Sequence, residues 1–112
     1  ISYSTANHHL ISADAIAQMR RCPVLINVSR GGLIDTKALA RALKNGQISY
    51  AALDVLENEP IIDDELLQLE NVLITPHAAW YSVESERTLR EKAIEDVLRV
   101  LKNEKPIYAV PE

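Results

Sequence analysis

Four polar residues of this sequence have the types and positions that acid–base chemistry on a small carboxylic acid requires. Arg30, Asp54, Glu59 and His77 each follow a short apolar segment. A planar guanidinium binds a carboxylate through two parallel hydrogen bonds. An imidazole exchanges a proton near neutral pH, and a carboxylate beside it fixes its tautomer and favours its charged form. The set suits a 2-keto or 2-hydroxy acid, with Arg30 binding the acid group and His77, supported by Glu59, exchanging a proton with the C2 oxygen.

Three apolar segments predict the strands that would position these residues, namely PVLINV at 23–28, YAALDV at 50–55 and VLI at 72–74. The first reads as a strand buried on both faces. The sequence between and after them predicts helices at residues 12–19, 35–46, 64–69 and 82–101, with Ser12, Asp35 and Ser82 as N-caps. Strands that alternate with helices predict an α/β fold with a parallel sheet.

The carboxyl ends of parallel strands lie at one edge of a sheet, and ligands bind beside that edge. Arg30, Asp54 with Glu59, and His77 follow the three predicted strand ends and should therefore meet there. Three strands make a thin sheet, so we expect further strands upstream. The chain also begins at Ile1 rather than Met, and we expect it to be a piece of a longer protein.

The composition restricts the class of protein. The net charge of −4 over 112 residues argues against a nucleic-acid or anionic-membrane surface, and no apolar run approaches the length of a membrane span. No signal peptide is recognisable. The single cysteine, Cys22, predicts a reducing, cytoplasmic setting and a buried structural thiol. His8 and His9 are adjacent, a spacing that suits surface residues rather than metal ligands, so no metal site is predicted.

Three motifs closely resemble the D-isomer-specific 2-hydroxyacid dehydrogenase family: NVSRGGLID at 27–35, ALDV through ENEP at 52–60, and NVLITPH at 71–77. The resemblance covers nearly the whole chain. It implies a partial Rossmann-type sheet and NAD-dependent interconversion of a D-2-hydroxy acid and a 2-keto acid. It also implies that Arg30 is the substrate-carboxylate arginine, His77 the acid/base and Glu59 its partner. Within the family, NHHLI at 7–11 and PHAAWYS at 76–82 look most like the C-terminal-binding-protein-like and phosphoglycerate-dehydrogenase-like branch, which includes NAD-binding corepressors.

The resemblance further implies a set of residues that line the NAD site on its nicotinamide side: Asn7, Val28, Ser29, Arg30, Asp54, His77, Ala78, Ala79 and Trp80. The family's G-x-G-x-x-G fingerprint is absent from this chain. Residues 1–112 therefore resemble the C-terminal part of the NAD-binding domain without the fingerprint half and the substrate domain. We expect a homodimer for the full-length protein and no full activity for these residues alone.

Each assignment has a structural alternative. Arg30 could be a surface arginine before a glycine turn, Glu59 one of a solvated acidic run, and His77 a plain loop histidine. Asp54 could cap the turn after its strand, and Trp80 could be either a hydrophobic plug or a pocket wall. Three functions follow from these alternatives: an oxidoreductase, a corepressor-type binding module that keeps the NAD fold, and a structural domain whose site residues are relics.

Overall fold

The computed structural model describes residues 1–60 and 64–109, which belong to two compact units, Ile1–Ala79 and Trp80–Glu112. The first unit contains the sheet and the four candidate site residues Arg30, Asp54, Glu59 and His77. The second unit contains the long C-terminal helix.

The sheet of the first unit has three parallel strands: β1 (Val24–Asn27), β2 (Tyr50–Leu53) and β3 (Val72–Ile74), in the order β1-β2-β3. The predicted α/β class with a Rossmann-type parallel sheet is confirmed. β1 is shorter than its apolar segment because the Asn27 side chain turns the chain. Its Oδ1 accepts from the Ser29 amide at 3.0 Å and its Nδ2 donates to the Arg30 carbonyl at 2.9 Å.

Three helices of the first unit are α1 (Ala13–Ala17), α2 (Thr36–Lys44) and α3 (Asp64–Leu67). The predicted N-caps are confirmed, since Ser12 accepts from the Ala15 amide and Asp35 accepts from the Ala38 amide. Gly46 ends α2 with a φ of +75°, a left-handed conformation that glycine adopts without cost. The helices α1 and α3 end two residues earlier than predicted, as is common for helix ends.

The core of the first unit lies between the sheet and the helices. Its most deeply buried large side chains are Leu39, Ile48 and Leu66. Burying a side chain of this size contributes about 1.5–3 kcal/mol, so these contacts stabilise the sheet and α2 against each other. Leu25 of β1 packs against this core, and so do Val72 and Ile74 of β3.

The other face of the sheet is open to solvent. Val24 and Ile26 alternate with Leu25 along β1 and are 59% and 68% exposed, and Leu73 of β3 is also exposed. The prediction that β1 is buried on both faces is therefore wrong for the described residues, because the core covers only one face of the sheet.

The second unit consists mainly of α4 (Val83–Leu101), whose bounds confirm the predicted helix. Ser82 and Ser85 cap it reciprocally, each side chain accepting from the other residue's backbone amide. The apolar residues of α4 all lie at partly or fully exposed positions in this unit. The segment after the helix is held by Asp96 of α4, whose carboxylate accepts from the amides of Ile107 and Tyr108.

The prediction that Cys22 is a buried thiol is wrong. The thiol is exposed rather than buried, because it lies in the irregular segment before β1, outside the core cluster. Of the helices within the described residues, none is long and apolar enough to cross a bilayer.

Candidate active site

Arg30 stands at the carboxyl end of β1, where the turn made by Asn27 directs the chain away from the sheet. Its guanidinium is exposed, and Nη1 donates to the Ser29 carbonyl at 2.7 Å. Within the described part of the chain, no carboxylate forms an ion pair with this side chain. The guanidinium therefore has donors available for an external anion.

The two glycines after Arg30 allow close packing on both sides. A Cβ on Gly31 would lie 1.9 Å from the carbonyl carbon and oxygen of Leu56. The backbone of the loop after β1 therefore contacts the backbone of the loop after β2. A Cβ on Gly32 would lie 2.8 Å from the Tyr3 ring. The glycine pair is thus explained by contact with the neighbouring loop and with an aromatic ring, rather than by a turn alone.

Asp54 lies just past β2, is 5% exposed and is fully engaged by the loop that follows β3. Oδ1 accepts from the Thr75 hydroxyl and from the Ala78 amide at 2.9 Å, and Oδ2 accepts from the Ala79 amide at 2.8 Å. The hydrogen bond from Thr75, followed by those from the two amides, holds the pKa of Asp54 below its ordinary value despite the opposing effect of burial. Asp54 therefore holds the 75–79 loop in place. This role is structural, like the alternative in which Asp54 caps the turn after its strand, but here the carboxylate joins the loop after β2 to the loop after β3.

His77 occupies this held loop with a φ of +53°, a left-handed conformation that costs a histidine roughly 1–3 kcal/mol. Its Nδ1 lies 2.7 Å from Glu59 Oε2, while Glu59 Oε1 accepts from the Leu56 amide at 2.8 Å. The hydrogen bond to His77, and then that to Leu56, keeps the pKa of Glu59 below its ordinary value. An ionised carboxylate only accepts, so Nδ1 carries the hydrogen and Nε2 is the nitrogen that can exchange a proton.

Arg30, Glu59 and His77 line one open cavity of about 500 Å³, as their positions in the sequence predict. A second cavity of about 390 Å³ is lined by Asp54, Glu59 and His77 together with residues of the loop after β3. The Glu59–His77 pair thus lies between two cavities at the carboxyl edge of the sheet. This arrangement can bind an anion and deliver a proton beside it.

The other residues predicted for the cofactor have mixed surroundings. Val28 and Ser29 line a third open cavity, which also borders residues 1–3 and Arg30. The Asn7 side chain is engaged locally, with Oδ1 accepting from the Ser4 amide and Nδ2 donating to the Ser2 carbonyl. Trp80 belongs to the second unit, where its ring meets Tyr81 edge to face. Their cofactor contacts stay predictions.

Thr75 and His9 contact site residues but are not predicted as site residues from the sequence. Thr75 binds Asp54, and strand register could have found it, because Leu53 pairs with Ile74 and the next residues on both strands are Asp54 and Thr75. His9 is half-buried and bonds to Glu57 at 2.6 Å, so its assignment as a surface residue is wrong. The pair is separated by 48 residues, a distance at which no local pattern could reveal it.

His8 does lie at the surface, but its ring contributes to the same cavity. Its Nδ1 shares a hydrogen bond of 3.0 Å with the Tyr3 hydroxyl, and its ring stacks on His9 with the centroids 3.8 Å apart. Tyr3 also lines this cavity. The segment before β1 therefore supplies aromatic and polar groups to the site.

Comparisons with known proteins agree with this architecture. Residues 1–79 match the family model described as the D-isomer specific 2-hydroxyacid dehydrogenase, NAD binding domain. The chain is 41% identical over 105 residues to glyoxylate reductase 1 of Saccharomyces cerevisiae, covering 94% of this chain and 30% of that protein. It is 44% identical over 100 residues to a glyoxylate reductase of Korarchaeum cryptofilum, covering 88% of this chain and 30% of that protein.

A solved structure shows the same fold. The crystal structure of a glyoxylate reductase from Paecilomyes thermophila superimposes with a TM-score of 0.90 at 29% identity, over 99% of this chain and 34% of that one. This chain thus spans about a third of the length of the relatives it matches. It belongs to the D-isomer specific 2-hydroxyacid dehydrogenase family and comprises part of the NAD-binding domain.

Proposed function

We propose that this chain carries the acid–base and carboxylate-binding groups of an NAD-dependent oxidoreductase that interconverts a 2-keto acid and a D-2-hydroxy acid. One observation carries the proposal: Arg30, Glu59 and His77 line the same cavity, with His77 Nδ1 held 2.7 Å from Glu59. A cation for the acid group and a proton donor for the C2 oxygen are the two requirements of this chemistry.

Arg30 binds the carboxylate of the substrate in this proposal. Its exposed guanidinium can offer two parallel N–H donors, which fix both the position and the orientation of a planar carboxylate. Gly31 and its contact with Leu56 hold this arginine close to the loop that carries Glu59. The acid group and the acid–base pair are thereby kept in one cavity.

His77 gives a proton to the C2 oxygen during reduction and takes it back during oxidation. Glu59 accepts from Nδ1 and so fixes the tautomer and the orientation of the ring for proton transfer. Asp54 acts one step further away, because its hydrogen bonds to Thr75, Ala78 and Ala79 fix the loop that presents His77.

The described residues fit the nicotinamide side of a dinucleotide. An open cavity at the carboxyl end of β1, lined by Val28, Ser29 and Arg30, adjoins the substrate cavity through their shared arginine. Val28, Ser29 and Arg30 would hold the cofactor there, while Asp54 would act only through the loop that it fixes. When bound, the nicotinamide supplies or accepts the hydride at C2.

Glyoxylate is the first substrate to test, because both curated relatives described above are named glyoxylate reductases. These names favour an enzyme over the corepressor-type module, for which the site offers no separate support. We further propose, from the family resemblance, that the full-length protein is a cytoplasmic homodimer.

Spectrophotometry of NADH and NADPH consumption by the complete protein tests the proposal. Glyoxylate, hydroxypyruvate and pyruvate are offered as substrates, with acetate as the matched acid that lacks the keto group. We expect at least one keto acid to be reduced and acetate to be inert. Absence of turnover with all three keto acids and either nucleotide would contradict the proposed reaction.

A further inference from the structure

We infer that His9 and Glu57 form a second histidine–carboxylate pair that positions the catalytic one, by fixing the loop on which Glu59 stands. The inference rests on the proposed function and assigns a role to two residues outside the predicted site. Glu57 and Glu59 are two residues apart on one loop, and each binds a histidine from a different part of the chain.

The pair formed by His9 and Glu57 is less exposed than the pair formed by His77 and Glu59. The side chains of Glu57 and His9 are 24% and 32% exposed, against 37% and 43% for Glu59 and His77. Glu57 Oε1 lies 2.6 Å from His9 Nε2, and Oε2 accepts from the Thr36 amide in the first turn of α2 at 3.4 Å. A carboxylate bonded to two separate elements fixes the backbone that bears it more firmly than an exposed ion pair does.

His9 is itself held in position. Its amide donates to the Gly32 carbonyl at 2.9 Å, and its ring stacks on His8, which shares a hydrogen bond with Tyr3. Glu57 therefore ties the loop after β2 to a segment that is already bonded to the Gly31–Leu33 turn. The anchor on the His9 side is independent of β3 and of the His77 loop.

The anchored loop contacts both halves of the catalytic apparatus. The backbone of Leu56 lies against Gly31, next to Arg30, and its amide donates to Glu59 at 2.8 Å. A shift of residues 56–59 would change the distance between Glu59 and His77 and the space beside Arg30. Displacements of about 1 Å at a reacting group can cost as much as 10²-fold in rate.

These side chains suit hydrogen bonding better than metal binding. His8, His9 and Glu57 can each bring one ligand atom within 4.8 Å of the others. However, the two imidazole planes are inclined by only 26°, so their in-plane lone pairs do not converge on one point. The contact of 2.6 Å between His9 and Glu57 is a hydrogen bond that an inserted ion would have to break.

Kinetics of the complete protein with NADH and glyoxylate test the role of Glu57. We expect Glu57→Gln to lower kcat by about 10- to 100-fold, by misplacing Glu59. Glu65→Gln, which alters an exposed glutamate paired with Lys44, is the matched control and should stay within twofold of wild type. His9→Ala should resemble Glu57→Gln, whereas His9→Gln, which retains a donor near the position of Nε2, should recover most of the rate.

If Glu57 and His9 act through Glu59, a double variant provides a further test. Adding Glu57→Gln to Glu59→Gln should change kcat by less than twofold, because the group being positioned is already lost. If Glu57 only stabilised the fold, Glu57→Gln would lower kcat by the same factor in wild type and in Glu59→Gln. That result would overturn the inference. So would a Glu57→Gln kcat within twofold of wild type. If Glu57→Gln does not fold, the comparison of His9→Ala with His9→Gln decides.

A second readout separates this inference from the proposed reaction. The ring ¹H–¹⁵N signals of His77, assigned by their loss in His77→Ala, should shift in Glu57→Gln and not in Glu65→Gln. This measurement needs no substrate. If the wild type is inactive but the His77 signals shift in Glu57→Gln, the positioning role is supported and the proposed reaction is rejected. If the His77 signals do not shift, the positioning role is rejected.

Discussion

Glu59 joins the loops that follow β2 and β3 through a single carboxylate, which accepts from the Leu56 amide and lies 2.7 Å from His77 Nδ1. The bond to Leu56 fixes the glutamate on its own loop, so the bond to His77 fixes the imidazole relative to β2. In the proposed chemistry, Nδ1 orients the ring and Nε2 is the nitrogen that exchanges the proton.

Arg30→Lys should lower kcat/KM for keto-acid reduction by at least tenfold, mainly through KM. Lysine retains the charge but cannot form the two-pronged contact, and a charge-assisted hydrogen bond contributes about 1.5–3 kcal/mol. Arg41→Lys, at an exposed position of α2, is the matched control. An Arg30→Lys enzyme within threefold of wild type would favour the alternative in which Arg30 is a surface residue.

His77→Ala should lower kcat by about 10² to 10⁴-fold, the range typical of positioned acid–base catalysis. Binding of NADH, measured by calorimetry on the complete protein, should change far less, because the lost group acts on the substrate oxygen. If His77→Ala retained more than a tenth of the wild-type kcat, His77 would not be the acid/base.

Asp54→Asn should destabilise the complete protein in a pH-dependent manner. The pKa of Asp54 is lower in the folded chain than its ordinary value of 3.8, so the ionised carboxylate stabilises the folded state above about pH 4. That contribution is lost as the pH falls through the lowered folded value. The difference in free energy of unfolding between wild type and Asp54→Asn should therefore be largest above pH 4 and shrink below it.

Urea unfolding at a series of pH values measures this difference. Asp14→Asn, at an exposed position in the first turn of α1, serves as the control for loss of a negative charge. A difference for Asp54→Asn that does not vary with pH would show that its hydrogen bonds to Thr75, Ala78 and Ala79 do not depend on ionisation.

Gly31→Ala should be far more damaging than Gly46→Ala. The added methyl group at residue 31 would lie 1.9 Å from the Leu56 backbone, so the two loops must separate, at a cost of about 3 kcal/mol or more. Gly46 has open space around it and only a positive φ, so alanine there should cost about 1 kcal/mol. Thermal melting and keto-acid reduction should both rank the variants in this order, and equal effects would contradict the close loop contact.

Local signals were sufficient to predict the strands, the capped helices and the edge where Arg30, Glu59 and His77 meet. Periodicity and N-cap residues act over a few positions, and parallel strands bring their carboxyl ends together whatever lies between them. The open outer face of β1 could not be predicted, because burial depends on which other elements cover the strand. The exposure of Cys22 depends in the same way on the segment before β1, which lies outside the core cluster.

The supporting contacts around the site are harder to predict from sequence than the strands and helices. Glu57 looks like one member of a solvated acidic run, and only the folded chain brings His9 to it across 48 positions. Asp54 follows a strand as a ligand-binding residue would, yet the parallel register pairs it with Thr75 and commits its oxygens to the His77 loop. The contact between His9 and Glu57 leaves no periodic trace in the sequence, whereas strand register could have predicted the contact between Asp54 and Thr75.

The central claim is that Glu59 holds His77 for proton transfer, and kcat/KM for glyoxylate reduction in wild type and Glu59→Gln tests it most directly. Glutamine keeps the shape of the side chain and removes its charge, so it weakens the hydrogen bond that His77 Nδ1 makes to Glu59 over 2.7 Å. We predict that Glu59→Gln lowers kcat/KM by about tenfold or more, whereas Glu65→Gln stays within twofold of wild type. A Glu59→Gln enzyme within twofold of wild type would contradict the assignment of this pair.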